Sequence, residues 1–128
     1  MFAKRASTRI QHPVSLGRAR GRAFSLNVRR QIILTPEAFD DVREAHAWYE
    51  NQESGLGTKL LDGLGAAFAR IGDAPDAYPV RFDAFRRVLL HRFPYAIYFD
   101  HHDTTVVVHC VFHCARDSAA LRRRLADE

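Results

Sequence analysis

After Pro75 of this 128-residue chain the spacing of apolar residues changes from helical to alternating, and that change limits the fold to a helical unit joined to an antiparallel sheet. Phe39, Val42, His46 and Tyr49 recur at helical intervals, and Leu56, Leu60, Leu64, Ala67 and Ile71 repeat the pattern. Thr35-Pro36 gives the first helix a sharp start. Threonine is a good N-cap, and proline lacks only an N–H that the first turn leaves unused. Glu37, Asp40 and Asp41 then put negative charge where the helix dipole favours it. Ser54-Gly55-Leu56-Gly57 breaks the pattern, and Asp73-Ala74-Pro75 ends it. Two helices with so short a link form an αα-hairpin. Gly63 and Gly65 lower the propensity of the second helix and are expected to let it approach the first closely.

The later part of the chain reads as strands. Gln31–Leu34 is β-prone, and further strands are expected over 86–92, 96–99 and 104–112. Phe93-Pro94-Tyr95 interrupts the first two, because proline cannot donate to a ladder. His101-His102-Asp103 is the expected turn before the third. The predicted class is α+β in β-α-α-β-β-β order, with the αα-hairpin packed on one face of a small antiparallel sheet. Alternation puts Val106, Val108, Cys110 and Phe112 on the face under the hairpin, beside Val88, Leu90, Ile97 and Phe99. The other face is expected to stay open and to gather Arg87, His91, Tyr98, His109 and His113. Such groups can hold phosphate, move protons or stack on a base; an ordinary solvated face is the competing reading. Arg116 to Arg124 is expected to form a short basic helix.

Composition narrows the function classes. Hydrophobic residues are 47% and charged residues 27%, the balance of one globular domain. No apolar run is long enough for a membrane-spanning helix, and two cysteines make no disulfide scaffold, so a reducing cytoplasm is expected. The net charge of +4 hides an asymmetry. Residues 1–30 hold Lys4, Arg5, Arg9, Arg18, Arg20, Arg22, Arg29 and Arg30 with no acid, whereas residues 31–128 hold 11 Lys+Arg against 15 Asp+Glu. Basicity therefore belongs to an arm over 1–30, and the domain over 31–128 is acidic. The arm lacks apolar periodicity and is expected to be disordered; a phosphate grip or a targeting segment are the functional alternatives. Because Met1 is the only methionine and regular patterning starts near Val28, a start at Val28 is a further reading.

His109-Cys110-x-x-His113-Cys114 carries metal-ligand residue types, and on a helix the four would converge. The Thr-Thr-Val-Val-Val run before it favours a strand, where they diverge, so no metal and no cofactor are expected. Nucleophile motifs, a phosphate-cradling glycine loop and paired catalytic carboxylates are absent in recognisable form.

Several short segments, in order, carry a resemblance. They are Leu34-Thr35-Pro36-Glu37-Ala38, Trp48-Tyr49, Gly55-Leu56-Gly57, Pro75 with Tyr78-Pro79, Arg92-Phe93-Pro94-Tyr95-Ala96-Ile97-Tyr98, and Phe112-His113 with Arg116-Asp117. Across about residues 31–124 the chain resembles the RelE/ParE superfamily of bacterial type II toxins. The resemblance implies a small cytoplasmic toxin neutralised by a cognate antitoxin protein. One branch of the superfamily cleaves mRNA on the ribosome, and the ParE branch poisons DNA gyrase. Lys59 is the only lysine after residue 30, which departs from the lysine-rich strand of the ribonuclease branch, so the ParE-like reading is favoured. If the chain cleaves RNA instead, Arg87, His91 and His113 are the expected catalytic groups. Arg86, Arg87, Arg92, Tyr98, His109 and Arg116 are the expected target- or antitoxin-binding groups. A non-toxic antitoxin-binding module is a third reading. Trp48, Tyr49 and Leu61 cannot share one stripe, so some apolar surface is expected to be left for an acidic, amphipathic partner segment.

Overall fold

Thr35 does what its position suggests: its hydroxyl accepts the Ala38 N–H at 3.1 Å, and Pro36 opens helix α1 (Pro36–Gln52). The computed structural model describes residues 30–126, so the expectations for the arm before Arg30 lie outside the described residues. Helix α2 (Leu56–Asp73) begins after Gly55, whose φ of 90° is a backbone state glycine reaches without strain. The Glu50 carboxylate accepts the N–H groups of Gly55 and Gly57 at 2.8 and 2.9 Å, supplying the cap that Gly55 has no side chain to give. The close approach of the two helices falls at Gly57. A Cβ there would lie 2.7 Å from the His46 ring and 2.8 Å from the His46 carbonyl oxygen. This corrects the expectation for Gly63 and Gly65, around which a Cβ would meet nothing within 4 Å.

A 3-10 turn (Pro75–Ala77) leads into strands β2 (Val80–Phe82), β3 (Phe85–Leu89), β4 (Tyr95–His102) and β5 (Thr105–His113), and helix α3 (Ser118–Ala126) follows. Strand β1 (Gln31–Leu34) precedes the hairpin, and the sheet order is β1-β5-β4-β3-β2. Strands β2 to β5 are antiparallel neighbours, as their short connections require. Strand β1 pairs parallel to β5, so the sheet is mixed, and β2 is a strand the sequence pattern did not announce. Asp83 and Asp103 hold positive φ (48° and 52°) in the two tight turns, where aspartate is among the better tolerated non-glycine residues. The β4 ladder takes in His101 and His102, two residues of the expected turn, and leaves Asp103 and Thr104 to make it.

The main core lies between the hairpin and one face of the sheet. Ile32, Leu34, Val88, Ile97, Phe99, Val106, Val108 and Val111 meet Ala38, Ala45, Leu60, Leu64, Ala67, Phe68 and Ile71 there. Strict alternation along β5 fails at one point. Phe99 pairs with Val108 but Tyr98 pairs with Cys110, so His109 is an extra residue in β5. This bulge reverses the parity beyond it. Val111 turns into the main core, while Cys110 and Phe112 turn to the other face, against Ala96, Tyr98, Leu121 and Leu125. Helix α3 thus covers the face expected to be open, and the chain is layered as hairpin, sheet and single helix.

Candidate functional site

The bulge also redistributes the residues expected to form one cationic face. Arg87 and Tyr98 are cross-strand partners on the α3 side, and His109 reaches the same side, its ring 4.9 Å from that of Phe85. Tyr98 is buried there beneath α3. The His109 Nε2–H donates to Asp100 Oδ1 at 3.0 Å. His113 leaves this group: it pairs with Tyr95, and its ring lies 5.0 Å from the Tyr95 ring, which packs against the hairpin core. Its Nδ1 accepts the Ala115 N–H at 3.0 Å, so neutral His113 carries its proton on Nε2 and presents a donor rather than a base. His91 and Arg92 stand exposed in the connection between β3 and β4. Arg86 faces the hairpin side, where it donates to the Tyr78 carbonyl at 2.6 Å and lies 3.6 Å from Asp76. Arg116 lies over the Phe112 ring, its Cζ 4.4 Å from the ring centre. Arg87, His91 and His113 are therefore not brought to one point. Cys110 is buried under α3 and Cys114 is exposed beyond β5; among the described residues no group of three His, Cys, Asp or Glu is placed to hold a metal ion.

An interaction that sequence reasoning missed lies at the edge of β5. Strand β1 pairs only with Thr105 to Val108, which leaves the rest of that edge without a strand neighbour. Asp41, on α1, fills part of the gap by accepting the Val111 N–H at 3.0 Å. Its two oxygens also receive a bidentate pair from Arg124 of α3 at 3.1 and 2.8 Å, and Arg124 donates to the His109 carbonyl at 3.2 Å. One carboxylate thus ties the hairpin, the bulge and α3 together. Burial pushes the Asp41 carboxyl above its ordinary pKa, outweighing the opposing pull of Arg124 and Val111. Beside this edge runs an aromatic group. Trp48 and Tyr49 are 4.9 Å apart, Tyr49 lies 4.9 Å from Phe93 and 6.2 Å from Tyr95, and Tyr95 meets His113. Trp48 and, on α2, Leu61 remain 57% and 41% exposed, which is surface the core does not use.

The family of ParE toxins of type II toxin-antitoxin systems (parDE) matches residues 32–118. Among solved structures, the chain is similar to one from the chromosomal ParDE toxin-antitoxin system of P. aeruginosa. The identity is 12%, with a TM-score of 0.59, and the match covers 66% of this chain and 96% of that one. No curated protein matches. The structural likeness carries the fold alone; the family match spans most of the chain, which therefore belongs to the ParE toxin family of type II toxin-antitoxin systems.

Proposed function

We propose that this ParE-family chain is a cytoplasmic toxin that acts on DNA gyrase and is held inactive by a cognate antitoxin protein. The observation that carries the gyrase reading is the separation of the groups a ribonuclease would need. Arg87 lies on the α3 side of the sheet with Tyr98 buried beside it, while His113 lies on the hairpin side against Tyr95. General acid–base cleavage of RNA requires a base within hydrogen-bond reach of the 2′-hydroxyl and a cation at the same phosphate. His113 presents Nε2–H, the wrong end of the exchange for a base.

The antitoxin reading rests on exposed apolar surface. Trp48 and Leu61 stand out from a hairpin whose inner face is already buried. Exposed aromatic and aliphatic groups of this kind anchor partner segments. The exposed Arg92, next to Phe93 in the hairpin core, supplies charge to pair with acids on such a segment.

Expression without the antitoxin should arrest growth, accumulate DNA cleaved and covalently held by gyrase, and leave transcripts whole. Arrest with transcripts cut within codons and no gyrase-bound DNA would replace this reading with the ribosome-dependent endoribonuclease. Unimpaired growth at high expression would leave the non-toxic binding module.

A further inference from the structure

The two halves of the domain differ in charge. Residues 31–77, which hold the hairpin, carry nine acids and three cations; residues 78–126, which hold β2 to β5 and α3, carry eight cations and four acids. Two of those eight are engaged, Arg86 with Asp76 and Arg124 with Asp41. Arg87, Arg116, Arg122 and Arg123 have no ion-pair partner among the described residues. Arg116 and Arg122 each lie over an aromatic ring. The first lies 4.4 Å above the Phe112 ring and the second 5.5 Å above the Phe82 ring. Both rings belong to the cluster beneath α3, on β5 and β2, so three strand spacings, about 14 Å, separate them across the sheet, and the register offsets them further along the strands. Arg123 and the half-buried Arg87 belong to the same side.

We propose that this α3 face is a docking surface for the phosphate backbone of duplex DNA. A lone phosphate does not bridge cations set three strands apart, whereas a backbone presents a row of phosphates. A guanidinium beside a ring keeps N–H groups free for bidentate contact with phosphate oxygens. The duplex is favoured over a single strand because the described aromatic rings of this face are engaged: arginines lie over Phe82 and Phe112, Phe85 meets the His109 ring, and Tyr98 is buried. The contact reads no base sequence and serves to position the chain on DNA. This surface is independent of the gyrase reading, and its test contains no gyrase.

The test is fluorescence anisotropy of a labelled random-sequence DNA duplex against the full chain over a salt series. All variants keep the eight cations of residues 1–30, so the arm contributes equally. Arg116→Ala/Arg122→Ala/Arg123→Ala should weaken binding at least about tenfold at low salt and flatten the salt dependence by two to three phosphate contacts. Arg43→Ala/Lys59→Ala/Arg70→Ala removes the same charge from the hairpin layer and should change affinity less than about twofold. A thermal melt of each variant checks that the fold persists; should the alanine triple melt early, Arg116→Gln/Arg122→Gln/Arg123→Gln, which keeps the side-chain stems, is read in its place. Equal weakening by the two triples, or unchanged binding by the α3 triple, overturns the proposal. So does displacement of the duplex by polyglutamate of equal charge, which would make the surface a site for acidic polypeptide.

Discussion

At the scale of single residues, Asp41 carries the most structural weight for its size. Its side chain is 13% exposed and Arg124 is 24% exposed, so breaking this pair leaves a largely buried charge and an unpaired Val111 N–H. Asp41→Ala should lower unfolding stability by roughly 2–4 kcal/mol in a urea titration, and Arg124→Ala should not add fully to it in the double variant. Glu50 makes a different prediction. Bonds from the Gly55 and Gly57 N–H groups hold its carboxyl below the ordinary value of 4.5. The folded state therefore favours the ionised form. Its stabilising contribution is complete above pH 4.5 and is lost as the pH falls through the lower, folded value. Wild type should melt above Glu50→Gln at neutral pH, with the gap closing in acid; a gap that widens in acid would contradict the assigned cap. Thr35-Pro36 was legible in the sequence because a cap and its helix are adjacent. Asp41 was legible only as an acid in the early turns of a helix, because the partner that gives it a role lies 83 positions away.

At the scale of elements, the two helices and the order of strands follow from local periodicity, and so they were readable. The contact between the helices was not. A glycine in a sequence lowers helix propensity wherever it stands, but only the fold says which glycine something touches. Gly65→Ala should raise the melting temperature, as relief of about 0.5–1 kcal/mol of backbone entropy at a site with nothing within 4 Å. Gly57→Ala should destabilise by about 1–3 kcal/mol, because its Cβ would press on the His46 carbonyl, which cannot swing away. The bulge at His109 was hidden for a related reason. Cys110, Val111 and Phe112 are all apolar, so neither parity is marked beyond His109. The residues read as one face before it were divided between two layers after it. Strand β1 was readable as a strand but not as a parallel one, since its partner β5 is the last strand of the sheet.

At the scale of the whole molecule, the layers present two chemically different surfaces. The hairpin offers Trp48 and Leu61 in an acidic setting, and the α3 side offers unpaired arginines. The family was readable from short ordered segments, and the match over residues 32–118 agrees with them. The grouping of Arg87, His91, Tyr98, His109 and His113 on one open face was not realised, because one inserted residue and one covering helix separate its members. On that separation rests the proposal of a gyrase-directed toxin rather than a nuclease. The most direct measurement uses purified chain, DNA gyrase, supercoiled plasmid and ATP, stopped with detergent and protease. The account predicts linear plasmid that increases with the amount of chain and disappears when gyrase is left out. Supercoiling that proceeds normally with no linear product, while the same preparation cuts mRNA on ribosomes, would contradict it.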